Sequence, residues 1–328
     1  MNKKCTSFYY KISHFSKNKI RVNKGKSRVK VVLRRLAGME MIVFDLDGVL
    51  VNIESSWQAV HKAFGVDNEE NFRKCVHSQI DFKEFMRSDI RLWNGPNISR
   101  IKQILEEAPL MKGAQETIST LQKAGYKTAI ISSGISVLAD RIKNELKIDY
   151  CFSNKLLTDD SGLLTGEGEE VVNLFNKDKV LRDLTSTAEV RVEQCVVIGD
   201  SRFDISLFNG AGLSIAFNAK EKSTRDAADL SICEKDLTLI LPWLVNEDET
   251  ALAEIVFNYD DENEAEAIVK AVEPDNKSSP PGLIVKTTRK RRSVYTRVFS
   301  TKGVETLLAT LDDLFSCIKV AENVLETG

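Results

Sequence analysis

The chain has 328 residues, room for about two domains of ordinary size. Hydrophobic residues make up 42% and charged residues 29%, which excludes a wholly disordered chain, a collagen-like fibre and a low-complexity polymer. No apolar run approaches the ~20 residues of a membrane span, so no membrane partner is expected. Six scattered cysteines form no CxxC pair, and there are only three histidines. This argues against a disulfide framework, a zinc module and a His-rich metal site, and a reducing cytoplasm is the expected compartment.

Charge is unevenly spread. Residues 1–38 carry 12 Lys/Arg and no acid, leaving 34 basic and 48 acidic residues for the rest. The basic segment lacks sustained apolar periodicity before about Val29 and is expected to lie outside the folded core. Three readings fit it: an upstream stretch before a start at Met39 or Met41, a disordered arm touching RNA, or a targeting peptide.

From Glu40 the pattern changes. Met41-Ile42-Val43-Phe44 reads as a buried strand ending at Asp45. Residues 54–110 read as a helical insertion. A helix over Gln115–Ala124, closed by Gly125, precedes a buried strand at Lys127–Ile131. The punctuation in Ser153–Val172 predicts a β-hairpin. A helix around Lys177–Ser186 leads to a strand at Gln194–Ile198, and 213–217 and 230–232 are short strand candidates. Strands alternating with helices predict an α/β domain over 39–245, a Rossmann-like parallel sheet with a helical cap inserted after the first strand. Residues 246–328 read as a second, α+β domain of βαββα order: strand Ala253–Tyr259, helix Glu262–Val272, hairpin Leu283–Thr288 and Ser293–Ser300, and a long amphipathic helix Val304–Leu325. The sheet of that domain would have one helix-covered face. Its other face and its edges call for a partner, so a homodimer is expected.

Every candidate strand of the first domain ends in polar residues. Asp45 and Asp47 follow the first, Ser132 and Ser133 the second, and Asp200 and Asp204 the third after Gly199. In an open parallel sheet these ends meet in one crevice. Four carboxylates there call for a cation, and oxygen ligands favour Mg²⁺ shared with a phosphate.

These residues carry a resemblance. Phe44-Asp45-Leu46-Asp47-Gly48-Val49-Leu50-Val51, Ile130-Ile131-Ser132-Ser133-Gly134, Asn176-Lys177-Asp178-Lys179 and Ile198-Gly199-Asp200-Ser201-Arg202-Phe203-Asp204 resemble the four ordered motifs of the haloacid-dehalogenase-like phosphatases. The stretch from Gly199 to Leu241, the helical insert and the hairpin are similar to the phosphoserine-phosphatase branch. The resemblance spans about residues 41–245. It implies a Mg²⁺-dependent phosphomonoester hydrolase acting on a small phosphorylated metabolite, with phosphoserine as the best single substrate. Asp45 would be the nucleophile and Asp47 the general acid and base. Ser132 and Ser133 fall at the phosphate-binding motif, and Lys177 would neutralise phosphate and hold Asp45, with Lys179 its rival. Asp45, the backbone oxygen of Asp47, and Asp200 would hold Mg²⁺, and Asp204 would support that shell or Lys177. Glu54 falls where the branch grips a substrate amine. For the substrate carboxylate Arg87 and Arg91 are candidates, with Asp89 between them. Two positions depart from the pattern: Phe203 stands where the branch has Asn, and Ser133 where Gly is usual.

The second domain resembles the small dimerising subunit of the KEOPS complex, which makes threonylcarbamoyladenosine in tRNA. Ala267–Asn276 (AIVKAVEPDN), the hairpin and the last helix carry the likeness, over about 247–325. It implies homodimerisation and docking onto that complex's catalytic subunit. The run Lys286, Arg289, Lys290, Arg291, Arg292 reads as a solvated hairpin tip or a tRNA contact. Alternative functions are a non-catalytic assembly subunit with a phosphatase-like platform, which Phe203 favours, and a phosphotransferase.

Overall fold

The computed structural model describes residues 19–24, 27–35, 38–245, 251–277 and 279–327. They form two units, one of residues 38–241, the other of the N-terminal strands with the chain from Pro242 onward. In chain order the N-terminal strands are β1 (Lys19–Lys24) and β2 (Ser27–Arg35).

The larger unit starts at β3 (Met41–Phe44), whose four residues are all buried. Four helices follow as the cap: α1 (Ser56–Phe64), α2 (Glu69–Val76), α3 (Phe82–Leu92) and α4 (Ile98–Glu106). Their starts carry the expected caps: the Ser55, Asp81 and Asn97 side chains accept backbone N–H groups at α1, α3 and α4. Next come α5 (Ala114–Lys123), β4 (Lys127–Ile135), α6 (Ser136–Leu146), and the hairpin β5 (Tyr150–Thr158) and β6 (Leu164–Glu169). Then follow α7 (Lys177–Thr187), β7 (Cys195–Gly199), α8 (Ile205–Phe208), β8 (Leu213–Phe217), α9 (Lys222–Ala227) and β9 (Leu230–Ile232). The seven-stranded sheet has the order β6-β5-β4-β3-β7-β8-β9, parallel except for β6. This is the mixed α/β fold with an inserted cap that the alternation of patterns predicts.

The register explains where chemistry gathers. Phe44 lies opposite Ile130 on one side and Ile198 on the other. Asp45 is therefore level with Ile131 and Gly199, and Ser132 and Asp200 come one step further along. Three strands thus deliver their polar ends to one rim.

In the other unit, α10 (Leu241–Leu244) leads to β10 (Ala251–Asn258), α11 (Glu262–Lys277), β11 (Leu283–Lys290), β12 (Ser293–Ser300) and α12 (Gly303–Thr327). The sheet order is β1-β2-β10-β12-β11, all antiparallel. Residues of α11 and α12 share one core with Ala253, Ile255, Phe257, Val294 and Val298. Two expectations are corrected here. Residues 19–24 and 27–35 do not lie outside the fold. Val29, Val31 and Leu33 recur at every second position, and the register sets them opposite Phe257, Ile255 and Ala253, the core-facing row of β10. The basic residues Arg28, Lys30 and Arg34, and the apolar Val32 between Val31 and Leu33, hide this period-two signal. In consequence β10 is paired on both sides by the same chain, so that strand does not present an open edge. The remainder of the basic segment, residues 1–18, 25–26 and 36–37, lies outside the described residues.

The helix α11 runs past the predicted end at Val272 and contains Pro274. Its last turn is tied down instead by side chains: Asn276 Nδ2 donates to Thr287 Oγ1 at 3.0 Å, and Cys317 Sγ to Asp275 Oδ2 at 3.3 Å.

Candidate active site

The turn after β3 brings two aspartates to the rim. Gly48 has φ +80°, and a Cβ there would lie 2.1 Å from Asp200 Oδ2, so both conformation and space demand glycine. Asp45 is 6% exposed, Lys177 1% and Asp204 0%. Lys177, the first residue of α7, places Nζ 2.7 Å from Asp204 Oδ1 and 3.2 Å from Asp45 Oδ1, the latter an ion pair outside hydrogen-bond geometry. The other Asp204 oxygen accepts the Asp200 N–H at 3.1 Å, and the Ser201 N–H and O–H at 3.0 Å. Asp204 thus fixes both the loop after β7 and the lysine. Gly199 leaves room for it, since a Cβ there would fall 2.4 Å from Asp204 Cβ.

Ligand oxygens of Asp45, Asp200 and Asp204 lie within 4.8 Å of one another. Burial raises Asp45 to about 7, Lys177 pulls it back, and Asp204 and Asp47 push it up again. Burial, Asp204 and Asp45 raise Asp200 to about 8. Burial also lowers Lys177, but Asp204 and Asp45 more than offset this and hold it well above the ordinary lysine range. One buried lysine does not balance these carboxylates. Oxygen-only donors, mutual repulsion and the buried Asp45 Oδ1 without a hydrogen bond all fit a divalent cation. The Asp47 carboxylate is not one of the three.

Asp47 is held differently. Its Oδ2 accepts the Ser56 N–H at 2.7 Å and the Ser56 hydroxyl at 2.8 Å. The same hydroxyl oxygen accepts the Ile135 N–H at 3.1 Å, joining cap helix, first motif and the end of β4. Asp47 Oδ1 is buried without a partner. Burial raises the Asp47 pKa, and the two Ser56 hydrogen bonds restrain the rise. Gly134 is needed here too, because a Cβ would lie 2.6 Å from Ser56 Oγ. The sequence reading missed Ser56. Its signal was the Ser55-Ser56 pair opening a helix two residues after Glu54, which reads as ordinary capping. Replacing Ser56 by Ala removes one donor to Asp47, so the Asp47 pKa should rise. The kcat–pH profile should move upward in pH, with kcat down roughly 3- to 10-fold and KM little changed. An unmoved profile would remove Ser56 from the proton-transfer apparatus.

Ser132 is buried, and its Oγ accepts the Gly134 N–H at 3.1 Å. The Ser133 carbonyl accepts from Trp57 Nε1 at 3.0 Å and from Asn154 Nδ2 at 2.9 Å, pinning the cap to the second motif. A cavity of about 630 Å³ opens between cap and sheet, and Asp45, Asp47, Ser132, Ser133, Lys177 and Asp200 all line it. Lys179 is not among the lining residues. Phe203 also lines it, edge-on to Phe72 of the cap at 6.3 Å and to Phe175 at 5.6 Å. The Asn-to-Phe departure thus builds an apolar wall and leaves the carboxylate cluster intact. Glu54 lines the cavity, but it is exposed and paired with Lys220. Arg87 and Arg91 do not line it. Both bind Glu167 of β6, at 2.7 Å each.

The fold agrees with what the chain resembles. The sequence profile of haloacid dehalogenase-like hydrolases matches residues 39–212. The phosphoserine phosphatase of Methanocaldococcus jannaschii is 33% identical over 208 residues, covering 62% of this chain and 97% of that protein. The phosphoserine phosphatase of Archaeoglobus fulgidus is 34% identical over 200 residues. That match covers 60% of this chain and 57% of the relative, so the chain spans little more than half of it. A solved structure described as a phospho-aspartyl intermediate analogue of phosphoserine phosphatase superposes with TM-score 0.56 at 31% identity, covering 62% of this chain and 98% of that one. The chain belongs to the haloacid dehalogenase-like hydrolase family. Its larger unit is a hydrolase domain of phosphoserine phosphatase type, and the protein is a phosphatase.

Proposed function

We propose that the protein is a Mg²⁺-dependent phosphomonoester hydrolase working through an aspartyl-phosphate on a small phosphorylated metabolite. Phosphoserine is the first substrate to assay, because relatives carry that name. The observation that carries the reading is the division of labour between two aspartates in one cavity. Asp45 faces Lys177, while Asp47 has one oxygen fixed by Ser56 and the other unpartnered. An Asp45 oxygen attacks phosphorus as the ester P–O bond breaks, and Asp47 gives its proton to the leaving alkoxide. Asp47 then takes a proton from the water that attacks phosphorus, and the Asp45–phosphorus bond breaks to release phosphate. Lys177 and Ser132 face the phosphate oxygens, with the lysine supplying charge. Asp45, Asp200 and the backbone oxygen of Asp47 would hold Mg²⁺, which when bound supplies charge compensation for the phosphoryl group. The test is phosphate release from a panel of phosphomonoesters in Mg²⁺ and in EDTA. Release should need Mg²⁺; release unaffected by EDTA, or none at all, would overturn the reading.

The cation also sets a stability signature. Asp45 and Asp200 titrate near 7 and 8 in the fold against an ordinary value of 3.8. A raised carboxylate favours the fold while protonated, and that contribution fades as pH rises through the folded values. Without a divalent cation, Tm should therefore fall between pH 5 and 8.5. Lys177 stays charged throughout that window. Mg²⁺ should restore Tm, by about 5 °C more at pH 8.5 than at pH 5. Equal Mg²⁺ shifts at both pH values would argue against the carboxylate cluster as the binding site.

For residues 246–328 we propose a KEOPS-small-subunit-like module that forms a homodimer, in a cytoplasmic protein, with the KEOPS catalytic subunit and tRNA as further partners. The βαββα order supports it, as do Val320 and Val324 of α12, 63% and 64% exposed on one helical face. Among the described residues no helix is long and apolar enough to cross a membrane. Light scattering of the full chain should give a dimer, and Val324→Glu a monomer; a wild-type monomer would sink the proposal.

A further inference from the structure

The cap wall of the cavity contains a buried carboxyl group, Asp89, that the reaction above does not use. Trp93 Nε1 lies 2.8 Å from His61 Nδ1. An indole nitrogen only donates, so Nδ1 must accept and the imidazole proton sits on Nε2. That nitrogen lies 2.9 Å from Asp89 Oδ1 and donates to it. Asn68 Nδ2 donates to the same oxygen at 2.6 Å. Both donors are neutral. Asp89 is 1% exposed, and among the described residues no lysine or arginine pairs with it. A buried carboxylate with neutral partners is costly until a cation arrives. Asp89 lines the cavity, as do Trp57, Phe72 and Phe85, and Phe85 stands one turn before Asp89 on α3. A carboxylate in a cavity that aromatic rings also line is the chemistry that selects an ammonium group.

A substrate carboxylate finds the opposite. Glu167 holds both Arg87 and Arg91 outside the lining. Apart from Lys177, Lys62 is the one lysine that lines the cavity among the described residues, and Glu54, Asp67 and Glu69 line it as well. Glu54 already has Lys220 as its partner.

We propose that Asp89 receives the ammonium group of the substrate, and that the preferred leaving group is an amino alcohol without a carboxylate. This rests on the phosphomonoester hydrolase reading above and ranks substrates within it. The experiment compares kcat/KM of the full chain in Mg²⁺ for O-phosphoethanolamine, L-phosphoserine and glycerol 3-phosphate, with p-nitrophenyl phosphate as a generic ester. O-Phosphoethanolamine should exceed the other two metabolites by ~10-fold or more. Asp89→Asn should shrink its advantage over glycerol 3-phosphate by ~10-fold, mainly through KM. A higher kcat/KM for L-phosphoserine, or a preference untouched by Asp89→Asn, overturns the assignment and leaves the hydrolase reading standing. No turnover of any ester, p-nitrophenyl phosphate included, overturns both. The wild-type ranking decides the matter even where the variant fails to fold.

Discussion

Asp45→Asn is expected to lower kcat by at least ~10⁴-fold with every ester, because it removes the atom to which the phosphoryl group is transferred. The amide nitrogen lacks a nucleophilic lone pair, and the amide oxygen carries no net charge. Volume is conserved in a site where Asp45 is 6% exposed, so the packing around β3 should survive. Stability should move the other way. Burial and two neighbouring carboxylates hold Asp45 at about 7, so its ionised form opposes folding at neutral pH. Replacing it with a neutral group removes that opposition, and Tm in EDTA at pH 8 should rise rather than fall. Phosphate release and a thermal melt on the same sample check both halves. Turnover above one part in a hundred of wild type would place the nucleophile elsewhere. Lost activity with a lowered Tm would reveal a folding defect instead.

How much of this was legible in the sequence follows from the range of each interaction. Asp45, Ser132 and Asp200 could be placed because each ends a short apolar run, and a parallel register brings such ends together. Lys177 could be placed because it opens a helix inside a motif. Phe203 could be flagged as a departure, but its consequence depends on Phe72, 131 positions away in the chain and across the cavity. The same holds for Arg87 and Arg91. They stand in a helical stretch where a substrate contact is a fair expectation, yet Glu167 on a distant hairpin takes both. His61 reads as a surface or cap histidine until Trp93 and Asp89 are seen to fix its proton. The strand β2 was hidden for another reason. Its alternation is broken by Val32, and Arg28, Lys30 and Arg34 give the segment the composition of a solvated arm. Local patterns thus reveal where backbone chemistry converges, and long-range pairing decides which side chains remain available to a ligand.

Asp47→Asn should separate the two half-reactions, and the Ser56 contacts give the reason. Both Ser56 donors point at one oxygen, 2.7 and 2.8 Å away. The amide of the variant satisfies them only with its own oxygen in that place. Its NH₂ then occupies the position of Oδ1, the buried atom without a partner. An amide there can donate a hydrogen bond but cannot release or accept a proton at neutral pH. An alkyl phosphate needs its leaving oxygen protonated, so kcat for such esters should fall by ~10²- to 10⁴-fold. The leaving group of p-nitrophenyl phosphate departs without a proton, so transfer to Asp45 should survive. Water attack should still be slow, since the base is gone. Rapid mixing should show a burst of nitrophenolate close to one equivalent per active site, followed by slow turnover. A linear trace with equal losses for both ester types would mean that Asp47 only positions the phosphate, and that proton transfer runs through another group in the cavity.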